Sequence, residues 1–286
     1  MIEGEASRTA RRMALERAVH QVADSPVVFT DPLAIAMLPP EQAAALREHP
    51  ERFRGSPIAK RMRAIVVVRS RIAEDELARA ADRGVDQYVV LGAGLDTFAY
   101  RNPHPGVRVF EVDQPSTQRL KHERLAAAGI AVPDSLIWVP FDFTRQTLPD
   151  ALADAGFDRT RPAVFAWLGV VMYLERLDVI ETLRYISTLP AGTAVVFDYA
   201  LPPTATPWPV RWFYRRTLSN FARQGEPWIS FFMPAPLRAE LSQLGFTEIE
   251  DLGGDDVDRR YLGSRRDGLT ASGVGRIVIA RRTVVS

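Results

Sequence analysis

Apolar and polar positions alternate along this chain in blocks rather than residue by residue. Five short apolar runs, "QYVVLG" (87–92), "VRVFEVD" (107–113), "LIWVPFDF" (136–143), "PAVFAWLG" (162–169) and "TAVVFDYA" (193–200), have the length and β-branched content of strands buried on both faces. Amphipathic segments such as "STQRLKHERLAAAG" (116–129) and "RLDVIETLRYISTLP" (176–190) lie between them. Strand, helix and strand in this order predict a mostly parallel sheet with right-handed crossovers. Before the first strand the spacing is helical throughout. "SRTARRMALERAVHQVA" offers Ser7 or Thr9 as an N-cap, "FTDPLAIAMLP" places Asp31 before Pro32 as a helix start, and a long helix runs from Ile58 to Ala81 and stops at Gly84.

After the fifth strand the alternation breaks. From 201 to 236 proline and aromatic residues crowd together (Trp208, Trp212, Phe213, Tyr214, Trp228, Phe231, Phe232), which predicts an insertion packed over the sheet edge. "PLRAELSQLGF" (236–246) reads as a helix ended by Gly245, and "TEIEDL" and "GRIVIARR" as closing strands. The stretch between those strands, rich in Gly, Asp and Arg, reads as a mobile loop. One domain over 1–286 follows: a helical cap (1–85), a sheet core (86–200), the insert (201–236) and a closing helix with two strands (237–286).

Composition narrows the classes. At 47% hydrophobic the 286 residues can bury a full core, and the net charge of +1 gives no field of the kind that holds nucleic acid. No cysteine is present, which excludes a disulfide framework, thiol catalysis and a cysteine zinc site. No apolar run reaches the roughly 20 residues that span a bilayer, and the N-terminus lacks the apolar core of a signal peptide. The expectation is a cytoplasmic protein without membrane or nucleic-acid partners, and without a metal.

The chemistry concentrates at the first strand's end. Gly92 and Gly94 permit a sharp turn and let a ligand approach bare backbone, where open parallel sheets bind ligands; a plain tight turn would use them equally. Asp113 ends the next strand about 20 residues on, where a carboxylate accepts ribose hydroxyls, although "DQPSTQ" also suits a helix cap. Glu111 precedes it on the same face. The third glycine of a dinucleotide fingerprint is Thr97 here, and Lys60 and Lys121 fit neither a phosphate loop nor a Tyr-x-x-x-Lys pair. A nucleoside without pyrophosphate, S-adenosyl-L-methionine, fits better than NAD. Asp142 with Phe143 could hold its adenine, or Asp142 could be a buried strand-end acid.

Together "VVLGAGLDTFAYR", "VFEVDQPSTQRLK", "VPFDF" and "VVMYL", with "SRTARRMALERA" and "FTDPLAIAML", resemble the leucine carboxyl methyltransferase family. The likeness is to its bacterial branch of O-methyltransferases acting in polyketide and other secondary metabolism. The resemblance implies a Rossmann-like class I methyltransferase sheet with its last strand antiparallel. It implies that Arg69, with Arg71 nearby, reaches the methionyl carboxylate, that Gly92, Ala93 and Gly94 run along the cofactor, and that Asp113 with Gln114 holds the ribose. Asp142 and Phe143 would hold the adenine, and Tyr173 would face the acceptor. Where the family often has a glutamate near the methionyl amino group this chain has Leu168, so the Leu168 and Gly169 carbonyls are the alternative contacts. The acceptor would be a carboxylate or hydroxyl of a small or peptide-like molecule, oriented by Arg69, Tyr173, Arg211 or Arg215. Of the histidines only His104 falls near such a site, and "HPG" reads as a turn. The rival readings are a cofactor-binding protein of the NAD or non-catalytic kind and a nucleic-acid methyltransferase.

Overall fold

The computed structural model describes residues 8–142, 146–206, 208–223, 225–263 and 265–284. Helices α1 (Arg8–Ala23), α2 (Pro40–Glu48) and α3 (Pro57–Ala81) lead into β1 (Gln87–Leu91), β2 (Arg108–Asp113), α4 (Pro115–Ala127), β3 (Leu136–Pro140), α5 (Leu148–Asp154) and β4 (Val164–Trp167). Then follow α6 (Arg176–Ser187), β5 (Ala194–Ala200), α7 (Trp208–Arg223), α8 (Pro234–Leu244), β6 (Glu248–Leu252) and β7 (Gly275–Arg281). The strands form one sheet in the order β3-β2-β1-β4-β5-β7-β6. Strands β1 to β5 pair in parallel, and β7 runs antiparallel between β5 and β6. The order reverses between β1 and β4, so the carboxyl ends of those two strands frame the crevice where such sheets take ligands.

Local chemistry explains the long helix. Ser56 accepts a hydrogen bond from the Ala59 amide at 3.3 Å, and Pro57 opens the first turn with its missing donor at a position that needs none. Its apolar stripe, including Val67, Val68, Ile72 and Leu77, is fully buried against Val90, Val109 and Val164 on one sheet face. The other face is closed by α5, α6 and α8 through Leu152, Leu183, Ile186 and Leu241. With both faces covered, the strands can afford continuous apolar sequence, as expected for parallel sheets.

Four expectations need correction. Residues 32–37 form a run of turns, not a helix; Asp31 is fully buried as an ion-pair partner of Arg17 and Arg101, its Oδ1 also accepting from the Leu33 amide. Thr9 lies inside α1 and does not cap it, while Ser7 lies outside the described residues. Between β1 and β2 there is no α-helix, only a 3-10 turn at Phe98–Tyr100. The segment after β6 is organised rather than loose: a helical turn (Gly254–Val257) runs into a π-helical turn (Asp258–Leu262). The Asp258 carboxylate there gathers the Ala271 amide at 2.6 Å and the hydroxyls of Thr270 and Ser272.

The insert is also resolved. Residues 208–223 are helical, with Trp208 and Trp212 exposed, and the chain then returns along the strand ends instead of over the sheet edge. The Ile229 amide donates to the Met172 carbonyl (2.8 Å) and the Phe232 amide to the Ala200 carbonyl (3.1 Å). Those bonds carry residues 225–229 across the crevice.

Candidate active site

A cavity of about 390 Å³ lies at the carboxyl ends of β1, β2 and β4, a volume in the ordinary range for small-molecule sites. Gly92, Ala93 and Gly94 form one wall. Gly92 has φ +69°, and a Cβ there would stand 2.4 Å from the Val170 Cγ2, so both backbone geometry and space require glycine. Its amide donates to the Val112 carbonyl at 2.8 Å, which binds the turn to β2.

Asp113 faces this turn. Its Oδ2 accepts from the Gly94 amide (2.5 Å) and its Oδ1 from the Gln114 amide (2.7 Å). The carboxylate therefore braces the glycine turn and the start of α4 together, with the Thr117 side chain as a further hydrogen-bond partner. Burial pushes its pKa up, against the two amides that favour its charge. Gln114 and Thr117 line the cavity beside it. Glu111 is elsewhere: buried, it pairs with Lys121 at 2.6 Å, and burial lifts its pKa to about 7.

Because no helix follows the glycine turn, no helix N-terminus points at the cavity from that connection. A pyrophosphate would lack the amides and positive dipole end that hold it in dinucleotide folds. Thr97, standing at the third glycine position, is fully buried, and its hydroxyl accepts from Arg101 Nε at 3.1 Å.

Opposite Asp113, Arg69 enters from α3. Its Nη1 meets Asp198 Oδ2 at 2.8 Å, and Asp198 Oδ1 accepts from the Gly169 amide at 2.5 Å. Gly169 has φ +74°, and a Cβ would sit 2.7 Å from Arg69 Nη2, so the guanidinium rests against bare backbone. Sequence reading missed Asp198, though a lone acid inside the apolar run of β5 was its signal. Arg71 is remote, bonding Asp75 and the Val28 carbonyl. Leu168 lines the cavity between these groups, half-buried and packed on the α3-side core.

Among the described residues the lining carries two guanidiniums, Arg17 and Arg69, and four acids, Glu74, Asp96, Asp113 and Glu226. Arg17 is held by Asp96 at 3.3 Å and Asp31 at 3.7 Å. Burial opposes the charge of Asp96, but Arg17, Lys121 and Arg101 outweigh it and hold its pKa below the usual carboxylate range. For Glu74 burial wins over the paired Arg101, and its pKa rises to about 7.

The insert closes the remaining side. The Trp228 Nε1 donates to Tyr173 Oη at 3.2 Å, and Tyr173 Oη lies 3.4 Å from Thr9 Oγ1. Thr9 Oγ1 donates to Glu226 Oε2, and the Thr9 amide donates to Glu226 Oε1 at 3.2 Å. Trp228 is held by stacking on Phe221 of α7, with ring centroids 5.3 Å apart. Burial raises the Tyr173 pKa against the two hydrogen bonds. Of the expected acceptor-orienting groups, Tyr173 and Arg69 line the cavity, whereas Arg211 bonds the Thr204 and Thr206 carbonyls and Arg215 is exposed. His104 sits in a turn whose amide donates to Asn102 Oδ1. β3 ends at Pro140, so Asp142 follows the strand, outside the cavity lining; Phe141 lines it instead. Phe143 and the side chain of Phe213 lie outside the described residues.

The chain is similar to known methyltransferases in sequence and in fold. The family model of leucine carboxyl methyltransferase matches residues 10–187. A candidate S-adenosyl-L-methionine-dependent methyltransferase of Bacillus subtilis, YktD, is 31% identical over 95% of this chain and 96% of its own. A second such candidate, from Parafrankia, is 34% identical over 55% of this chain and 48% of its own. Among solved structures, a DUF574 family protein of Streptomyces avermitilis superimposes with a TM-score of 0.58 at 19% identity, covering 99% of this chain and 100% of its own. A candidate methyltransferase of Thermobifida fusca gives a TM-score of 0.53 at 16% identity, covering 99% and 97%. At such identities these two show the fold alone.

Proposed function

The chain belongs to the leucine carboxyl methyltransferase family and is an S-adenosylmethionine-dependent methyltransferase, and from that premise we propose that it methylates an oxygen atom of a small molecule. The observation that carries the cofactor assignment is Asp113. It stands at the tip of β2, braced by the Gly94 and Gln114 amides, and lines a cavity whose glycine wall has no phosphate-binding helix behind it. A ribose diol satisfies that carboxylate.

The other residues fit the same group. Arg69, fixed by Asp198, offers its guanidinium to a methionyl carboxylate. Phe141 and Val112 give the base an apolar wall. The acid-rich lining favours a sulfonium cation over an anionic nucleotide. Bound there, the cofactor supplies an activated methyl group. The protein's share of the work is to align the acceptor with the methyl–sulfur bond and to exclude water. The insert does both: residues 225–229 lie across the cavity, and Tyr173, held by Trp228 and Thr9, presents a hydroxyl to whatever enters. With apolar neighbours such as Met13, Leu174 and Ile229, the acceptor side suits a small apolar molecule.

The test is calorimetry with S-adenosylhomocysteine and with NAD. Binding of the first and silence with the second is the expected result. Heat with NAD alone, or with neither, would overturn the cofactor assignment. Mass spectrometry on an acceptor panel then reads the atom methylated, and methyl transfer to nitrogen or carbon only would overturn the oxygen assignment.

A further inference from the structure

The hydrogen bonds at the acceptor side form a chain whose polarity is fixed at both ends. The Trp228 indole can only donate, and the Glu226 carboxylate can only accept. The Trp228 N–H donates to Tyr173 Oη, and Thr9 Oγ1 donates to Glu226 Oε2. With Thr9's own proton committed to Glu226, the contact between Tyr173 and Thr9 has one direction left: the tyrosine proton points at Thr9. Three elements far apart in sequence, the start of α1, the turn after β4 and the segment after α7, thus make an ordered path from Tyr173 along the cavity wall to the Glu226 carboxylate.

That path has no use for a carboxylate acceptor, which arrives already ionised and needs a cation. Among the described residues both guanidiniums of the lining are committed: Arg17 to Asp31 and Asp96, and Arg69 to Asp198 and, in the cofactor reading, to the methionyl carboxylate. The acceptor side presents Tyr173 and an acid. Building on the methyltransferase reading, we propose that the acceptor is an ionisable hydroxyl, phenolic or enolic, on an otherwise apolar small molecule, and that its proton leaves through Tyr173 and Thr9 to Glu226. As the oxygen–methyl bond forms, the sulfur–methyl bond breaks, and its electron pair stays on sulfur as a neutral thioether. The hydroxyl proton goes to Tyr173 Oη, the tyrosine proton to Thr9 Oγ1 and the threonine proton to Glu226 Oε2. Burial keeps Tyr173 protonated at neutral pH, so it passes a proton on rather than storing one. The 3.4 Å step between Tyr173 and Thr9 is the longest link and is the one that must tighten when substrate enters.

The experiment compares wild type with E226Q, which keeps the shape and a hydrogen bond to Thr9 but cannot take up a proton. Methyl transfer is measured on substituted phenols of graded acidity and on matched benzoates. Wild type should methylate phenols in excess over benzoates. E226Q should lose about 100-fold or more on weakly acidic phenols, and less than about 3-fold on para-nitrophenol, which is ionised without help. T9V, which breaks the path but keeps the acid itself, should follow E226Q. Thermal melting and S-adenosylhomocysteine affinity, unchanged in both variants, exclude a folding defect. An E226Q loss independent of phenol acidity, or no excess of phenol over benzoate methylation (silence on both included), overturns the inference. Failure of wild type to bind S-adenosylhomocysteine would instead strike the cofactor assignment beneath it.

Discussion

Replacing Asp113 by asparagine tests the cofactor site most directly. In the native protein one carboxylate oxygen takes the Gly94 amide and the other the Gln114 amide. An asparagine must turn its NH2 toward one of these, so one backbone donor loses its acceptor and faces another donor, whichever rotamer is chosen. The ribose, expected to donate to this carboxylate, then meets at most one acceptor oxygen, and that one is neutral. Losing a charge-assisted hydrogen bond is worth about 1.5–3 kcal/mol. Adding the disturbed Gly94 contact, we expect a loss near 3 kcal/mol, which is roughly 200-fold in affinity. The assay is titration calorimetry with S-adenosylhomocysteine, with the melting temperature as a control. A pH series sharpens it. Burial raises the pKa of Asp113 in the free protein, and the ribose must meet the ionised form. Acidification should therefore weaken binding as Asp113 takes up its proton, beginning at a higher pH than an ordinary aspartate would require. D113N should show no such dependence. A D113N protein that melts normally and binds within about 3-fold of wild type would refute the ribose assignment.

Three further outcomes follow from the same geometry. G92A places a Cβ 2.4 Å from Val170 at φ +69°, so it should lose about 1–2 kcal/mol in backbone strain alone, plus the clash, read by urea melts; G92A with V170A should recover only the clash. R69K keeps a charge beside Asp198 but loses the planar fork, and should weaken S-adenosylhomocysteine about 10–100-fold while leaving methylthioadenosine, which lacks the amino-acid part, unaffected. Glu74, at about 7 when folded against 4.5 ordinarily, holds its proton more tightly in the native state. Its contribution to stability is complete below pH 4.5 and lost as pH rises through about 7, by up to about 3 kcal/mol, and E74Q should flatten that decline in denaturant midpoints between pH 5 and 8.

What the sequence disclosed and what it hid divide along a physical line. The strands were legible because β1, β4 and β5 are buried along their whole length and β2 along most of it, so apolar runs mark them; Gln87–Leu91 and Arg108–Asp113 differ from the pattern by one residue each, while the runs at β3 and β4 overshoot Leu136–Pro140 and Val164–Trp167. The glycine turn and Asp113 were legible because their interaction is short-range in the fold's own logic: strand tip to neighbouring strand tip. The absence of a helix after β1 was not, since a parallel crossover usually supplies one and nothing in "LDTFAYRNPHPG" forbids it locally. The segment 253–273 read as loose because Gly, Asp and Arg are what loops contain; among its described residues one acid, Asp258, reaches residues 270–272 and ties the turn down. Hardest of all was the acceptor side. Thr9 and Glu226 stand 217 positions apart, and neither is unusual where it sits: a threonine near a helix start suggests a cap, and "GEPW" suggests a turn. Only the fold brings the two within hydrogen-bonding reach. The cofactor half of such a site is written into adjacent strand tips and can be read from one stretch of chain. The half we propose to face the acceptor is assembled from the N-terminal helix and the insert, two parts outside the strand tips. Substrate choice in this fold can therefore change by altering either part without disturbing the strand tips, and a swap of residues 201–236 between relatives should move acceptor preference while leaving S-adenosylhomocysteine affinity where it was.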